Sequence, residues 1–329
     1  MNCLVWNCRG LGNQPTVRQL VWLVKQKKPD LVFIMESKLF ATDWTPVLLK
    51  LGFLNHFLVD CDCDGAGRKG GLGLLWSEEL KVDIKSSSLH HILATVDNHL
   101  DPVWDFCGIY GWSRMEDHHL TWTLMTSLLV EVGERWLCGG DFNETLFHFE
   151  KKGGNMKPDA RLNTFRSTVD ACGLVDLGFV GDPYTWTNNQ KGKDHILERL
   201  DRCFGNEAWM ETFPGYMVSY LLRKSSDHRP LLLSVKSSGE EEKPHPRPFR
   251  FEAMWFKDER CKPLCSRLWE MGGRTDSAMD LHLKMEAMGV ELKNWEKAEF
   301  SNIRKRCADL RKELDDLQKH FNDSDSKDQ

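Results

Sequence analysis

The run Trp136-Leu137-Cys138-Gly139-Gly140-Asp141-Phe142-Asn143-Glu144 decides how the rest of the chain is read. It opens as a buried apolar strand and ends in two glycines and then Asp-x-Asn. Glycine lets a backbone bend at a strand end, so Asp141 and Asn143 are expected to project from one loop mouth on the same side. A carboxylate and a carboxamide two residues apart can orient a water and hold a phosphate oxygen together. The same residues also suit a plain Asx turn, so this run needs company before it signifies chemistry.

Further strands read on both sides of it. Cys3–Asn7, Leu31–Glu36, Leu72–Trp76 and Trp104–Tyr110 precede it, and Tyr184–Asn188, Arg199–Phe204, Tyr216–Leu222 and Pro230–Val235 follow. Helical spacing predicts Val17–Lys25, His118–Val132 and Ala160–Cys172. Short apolar strands with helices between them, over the first 236 residues, predict an α/β fold of two packed sheets flanked by helices.

Polar residues recur where these strands end, and functional side chains collect where strands give way to loops. Asn7 ends the first strand and Tyr110 another. Glu36 closes Phe33-Ile34-Met35-Glu36, out of place in a core but suited to a hard divalent ion such as Mg²⁺. Ser225-Ser226-Asp227-His228-Arg229-Pro230 sets an Asp beside a His at a strand start. A catalytic His needs an orienting partner, and Asp201, inside an otherwise apolar strand, can supply one. Carboxylates, carboxamides and one His, without a Ser or Cys nucleophile arrangement, describe metal-assisted attack of water on phosphorus.

Composition bounds the alternatives. The 329 residues are 41% hydrophobic and 28% charged, a globular balance, and the net charge of -5 lacks the bulk basicity of many nucleic-acid binders. No apolar run has the length of a membrane span, and the eleven Cys contain no CxxC pair. Reduced thiols in a nuclear or cytoplasmic setting are the expectation. Residues 237–248 read as a Pro-rich linker. Beyond it, 249–329 are helical and coiled-coil-prone: Ala278, Leu281, Met285, Met288, Leu292 and Trp295 form a heptad seam, resumed at Phe300, Ile303, Cys307, Leu310, Leu314, Leu317 and Phe321. Residues 276–321 are therefore expected to serve self-association or a protein partner.

The runs Trp6-Asn7-Cys8-Arg9-Gly10, Phe33-Ile34-Met35-Glu36-Ser37, Gly108-Ile109-Tyr110-Gly111, Gly140-Asp141-Phe142-Asn143-Glu144, Tyr184-Thr185-Trp186-Thr187-Asn188, Glu198-Arg199-Leu200-Asp201-Arg202 and Ser225-Ser226-Asp227-His228-Arg229-Pro230 occur in one order. In that order they resemble the endonuclease/exonuclease/phosphatase superfamily, the DNase-I-like fold. The flanks are similar to the endonuclease domain of plant LINE-type (non-LTR) retrotransposons, and Pro248-Phe249-Arg250-Phe251-Glu252-Ala253-Met254-Trp255 is similar to the segment that follows it there.

The resemblance implies a four-layered α/β sandwich and a Mg²⁺-dependent enzyme, with Mn²⁺ as an alternative ion, that nicks one strand of DNA. Glu36 then corresponds to the principal metal ligand and Asn7 to its support. Asp141 corresponds to the residue that positions or deprotonates water, and Asn143 helps hold the phosphate. His228, oriented by Asp201, meets the scissile phosphate. Asp227 positions metal or water, and Tyr110 touches phosphate or leaving group. Thr185, Lys191, Lys193, Ser226 and Arg161 are the expected DNA contacts, with the two lysines on a hairpin that selects targets. A full element of this kind continues into a reverse transcriptase, and no YxDD motif occurs here. The competing expectation is therefore a catalytically silent remnant that only binds nucleic acid or protein.

Overall fold

The computed structural model describes residues 1–65, 67–235, 255, 258–271, 281, 284–285 and 287–295. Its strands, in chain order, are β1 (Asn2–Asn7), β2 (Leu31–Met35), β3 (Asn55–Asp64), β4 (Gly67–Trp76), β5 (Lys81–Ser88), β6 (His91–Asp97), β7 (Trp104–Tyr110), β8 (Trp136–Asp141), β9 (Lys151–Lys152), β10 (Leu174–Asp176), β11 (Trp186–Thr187), β12 (Leu197–Glu198), β13 (Asp201–Asn206), β14 (Met217–Tyr220) and β15 (Leu231–Ser234). The helices are α1 (Gln14–Lys27), α2 (Thr45–Leu51), α3 (His118–Ser127), α4 (Asp159–Ala171), α5 (Glu207–Thr212) and α6 (Cys261–Met271).

Two six-stranded sheets result, in the orders β14-β15-β1-β2-β4-β3 and β10-β13-β8-β7-β6-β5, beside a small sheet β11-β12-β9. Strand alternation explains the layers, because successive side chains face opposite ways. In β1, Cys3 and Val5 face the second sheet and join Phe106, Leu137 and Cys203 in the central core. Leu4 and Trp6 face outward and pack with Val17, Leu20 and Leu23 of α1 and Val47 and Leu51 of α2. On the far side, Cys107, Ile109 and Cys138 pack with Met125 of α3 and Phe165 and Val169 of α4. The order helix, sheet, sheet, helix is the four-layered sandwich. α1 starts where the Asn13 side chain accepts the Thr16 N–H at 2.8 Å, with Pro15 in the first turn, and stops at Lys28 in the left-handed region.

Two expectations shift. Gly139 and Gly140 do not bend the chain: both lie inside β8. Gly140 instead allows close approach, since a Cβ there would lie 1.8 Å from the Ile109 carbonyl oxygen of the neighbouring strand. Tyr184–Asn188 forms only the two-residue strand β11: on its two sides the Thr185 and Asn188 N–H groups donate to the Glu198 and Ile196 carbonyls, and Thr187 itself donates to Asp227.

Inter-residue contacts divide the chain into Met1–Pro244 and His245–Gln329. Within the second unit, Trp255, Cys261 and Leu292 form a small core against which Leu264, Leu268, Met288 and Trp295 pack. Leu281 and Met285 of the expected seam are exposed. The linker 237–248, Ala278 and the seam from 300 to 321 lie outside the described residues. Among the described residues every cysteine is free, and no helix is long and apolar enough to cross a membrane.

Candidate active site

Strand register brings the sequence-distant polar residues together. Asp141 ends β8; it is paired with Tyr110 of β7 on one side and Asp201 of β13 on the other. Residues directly opposite one another share a face, so Tyr110, Asp141 and Asp201 stand in a row. In the other sheet, Asn7 of β1 is paired with Met35 of β2, and Glu36 follows at once. Glu36 has a positive φ of 50°, a conformation uncommon for a side chain of its size. Asn7, Glu36, Asp141, Asp201 and His228 are all buried.

The Asn7 carboxamide ties the two sheets. Its Nδ2 donates to Glu36 Oε1 at 3.1 Å and to Asp141 Oδ2 at 2.9 Å. The second Asp141 oxygen accepts the Asn143 N–H at 2.9 Å. Asn143, at φ 53°, donates from Nδ2 to the Gly111 carbonyl at 2.9 Å. His228 Nδ1 donates to Asp201 at 2.9 Å, which leaves Nε2 facing Asp141 Oδ2 at 3.7 Å. Ser226 locks this end: its hydroxyl donates to the Asn7 carbonyl at 2.8 Å and accepts the His228 N–H at 3.1 Å. The Thr185 hydroxyl accepts the N–H groups of Leu200 and Asp201, each at 3.0 Å.

The electrostatics follow from burial and neighbours. Burial raises the Asp141 carboxyl, the facing His228 draws it back down, Asp201 raises it again, and the result is about 6. Burial lowers His228, but Asp201 and then Asp141 outweigh it and push the imidazole up to about 9. Glu36 is raised by burial, yet Arg9 and the Asn7 hydrogen bond carry it below its ordinary value. Burial, Glu36 and Asp141 together hold the Tyr110 phenol far above its ordinary range.

Two cations at the rim were not singled out by sequence. Arg9, at φ 56°, reaches Glu36 Oε1 with one terminal nitrogen at 3.1 Å and Asp227 Oδ1 with Nε at 3.3 Å. Lys38 Nζ lies 3.7 Å from the other Glu36 oxygen. Arg9 stands in the motif Trp6-Asn7-Cys8-Arg9-Gly10, where a cation two residues beyond Asn7 was the available signal. Trp186 Nε1 donates to Asp227 Oδ2 at 3.2 Å.

The expected DNA contacts divide. Lys191 and Lys193 are exposed at a turn over Gly192–Asp194. Arg161 reaches inward, with Nε 3.0 Å from buried Glu144 and a terminal nitrogen on His118. Thr185 and Ser226 are buried supports of Asp201, Asn7 and His228.

Two groupings can hold a metal ion. Ligand atoms of Asp141, Asp201 and His228 lie within 4.8 Å of one another. Both Asp201 oxygens, however, lie within 3.1 Å of His228 Nδ1, and this bonded pair offers a hard ion little. Glu36 offers both carboxylate oxygens next to Asn7, and the charges now meeting them are the rim cations Arg9 and Lys38. Carboxylate and carboxamide oxygens are the donors a hard divalent cation takes.

The model for the endonuclease/exonuclease/phosphatase family matches residues 4–228. No curated protein matches the chain. Among solved structures, it is similar to the endonuclease domain of TRAS1, a telomere-specific non-LTR retrotransposon, at 17% identity and a TM-score of 0.54, covering 72% of this chain and 99% of that one. The 3′ phosphatase NExo from Neisseria, bound to product DNA hairpin, is similar at 16% and 0.52, covering 72% and 99%. An AP endonuclease from Archaeoglobus fulgidus gives 16% and 0.52, covering 71% and 99%.

Proposed function

The chain belongs to the endonuclease/exonuclease/phosphatase family, and from that premise we propose that it is a Mg²⁺-dependent endonuclease, of the plant LINE retrotransposon type, that nicks one strand of DNA. The observation that carries this reading is Asp141: buried, raised to about 6, and held between Asn7 and the imidazole of His228. A carboxylate poised just below neutral pH is matched to proton abstraction from water. His228, kept cationic to about 9 by Asp201, is an electrostatic partner for a phosphate oxygen as negative charge builds. Tyr110 stays a phenol and meets the phosphate or leaving group at the same edge. Asn143 helps hold the phosphate, Asp227 positions metal or water, and Ser226 fixes the His228 loop.

Glu36 and Asn7 would hold the ion, which when bound neutralises the phosphate and stabilises the departing 3′-oxygen. Mn²⁺ is the natural substitute. The names of two neighbours, a retrotransposon endonuclease domain and an enzyme bound to a DNA hairpin, support DNA as the substrate class. Lys191 and Lys193 contact its backbone, and residues 1–236 form the catalytic unit, acting in the nucleus.

Incubating the purified chain with supercoiled plasmid tests this directly. Conversion to open circles in Mg²⁺, abolished by EDTA, is expected. A plasmid left supercoiled in both Mg²⁺ and Mn²⁺ would overturn the reading.

A further inference from the structure

Three residues carry the chain out of β7 at the mouth of the site: Tyr110, Gly111 and Trp112. Tyr110 is the ladder partner of Asp141. Gly111 is pressed onto the next strand's exit, where a Cβ would lie 2.4 Å from the Phe142 carbonyl oxygen. Its N–H donates to the Asp141 carbonyl at 2.7 Å, and its own carbonyl accepts from Asn143 at 2.9 Å. Position 112 is therefore anchored beside Asp141 and Asn143, which meet the water and the phosphate in the reading above.

Trp112 does not behave as a core tryptophan. Trp6, Trp44, Trp104, Trp136 and Trp209 are fully enclosed, whereas Trp112 is half-buried and joins none of the apolar clusters. Its ring lies flat on His90, with centroids 3.5 Å apart and planes 11° apart. His90 lies parallel to Tyr110 in turn, at 5.7 Å and 7°. The imidazole is fixed by a 2.7 Å bond from Nδ1 to the Tyr110 carbonyl, and since a carbonyl only accepts, Nδ1 carries the proton. Three near-parallel rings thus form a column whose phenol end lies in the site.

We propose that the Trp112–His90 column is a stacking platform for a nucleobase flanking the phosphate that is cut, taken out of its own stack in the duplex. This rests on the DNA-nicking reading. A flat aromatic face accepts any base because every base has a π-face. Exposed Arg114 follows two residues on and adds a positive charge to the same loop. The consequence is a preference for steps that unstack easily, such as pyrimidine–purine steps.

The test is a cycle between protein and DNA, read by binding in EDTA rather than by cutting. A fluorescent duplex centred on the mapped nick carries either a base or an abasic site at the flanking position, and is titrated with the full chain, W112A and W112F. Removing the base weakens wild-type binding about tenfold. W112A weakens the intact duplex by a similar factor and then loses nothing more from the abasic site, while W112F retains most of the affinity. Thermal unfolding of each variant separates misfolding from a local effect. If the two losses simply add, the platform is wrong although the endonuclease reading stands. If the chain neither nicks nor binds DNA, that reading falls and takes the platform with it.

Discussion

Two buried ionic clusters meet on the segment Arg199-Leu200-Asp201-Arg202, and they differ in one respect. Behind the site, Arg199 and Arg202 meet Glu150 and Asp176. Arg202 reaches both Glu150 oxygens at 2.8 and 3.0 Å, and Arg199 reaches Asp176 at 2.7 Å. Two guanidiniums balance two carboxylates. In front, Asp201 and Asp141 flank one buried imidazole, while Arg9 and Lys38 meet Glu36 from the half-exposed rim. The carboxyls respond differently. Burial alone would raise Glu150 and Asp176, but the two guanidiniums hold both below the usual carboxylate range. Asp141 is left raised, at about 6. Balanced charge builds a scaffold; unbalanced charge leaves a group ready to exchange a proton.

The contrast breaks most visibly at Glu150. Glu150→Ala leaves Arg199 and Arg202 to share Asp176 as their one remaining carboxylate in the interior, so unfolding in urea should show a loss of roughly 3–5 kcal/mol. A loss below about 1 kcal/mol would mean that Asp176 alone satisfies both guanidiniums, and the cluster would not be the scaffold described.

Acid should divide the clusters next. Glu150 and Asp176 have folded values below their unfolded ones, near 4.3 and 3.9. Their stabilisation is present above those values and fades as pH falls through and below them. Asp141 has the opposite sign: its contribution is present below the unfolded value and is lost as pH rises toward about 6. Urea midpoints at pH 7 and pH 3.5 should therefore drop further in wild type than in Glu150→Gln. Equal drops would place the acid-sensitive carboxylates elsewhere.

Much of the front cluster was legible in the sequence, and for a physical reason. Glu36 and Asp201 are charges inside apolar strands, and a charge there needs an explanation that one sequence can already demand. Strand register then brought Tyr110, Asp141 and Asp201 side by side. The rear cluster escaped notice because Glu150 closes a short turn just before Lys151-Lys152, and Asp176 ends β10, whose three residues are too few to show alternation. Arg9 and Lys38 act through left-handed backbones, at φ 56° and 54°, that no periodicity announces. The same limit hid β5, a polar edge strand in which only Val82 and Ile84 alternate, and α2 and α5, too short for a helical period.

At Glu36 the front cluster can be weakened without being emptied. Glu36→Ala should lower Mg²⁺ affinity roughly 10–100-fold, the range seen when a ligand set is perturbed, and raising Mg²⁺ should recover part of the nicking rate. A variant equally inactive at every Mg²⁺ concentration would assign Glu36 another task.

The smallest effect is expected at the exposed Gly192–Asp194 turn. Changing Lys191 and Lys193 to Ala should flatten the salt dependence of DNA binding by about 1.8 in log–log slope, roughly 0.9 per phosphate contact. Nick positions on a sequenced plasmid should redistribute. An unchanged slope and an unchanged map would make the turn an idle surface loop.

If the front cluster gives up stability for reactivity, Asp141→Asn should show both when rate and stability are measured on the same preparation. The substitution keeps an acceptor for Asn7 but removes the buried charge and the proton acceptor. At pH 8 the nicking rate should fall by roughly 10²–10⁴-fold, with a urea midpoint equal to or above that of wild type. A variant that still nicks, or one whose stability falls as Glu150→Ala does, would contradict it.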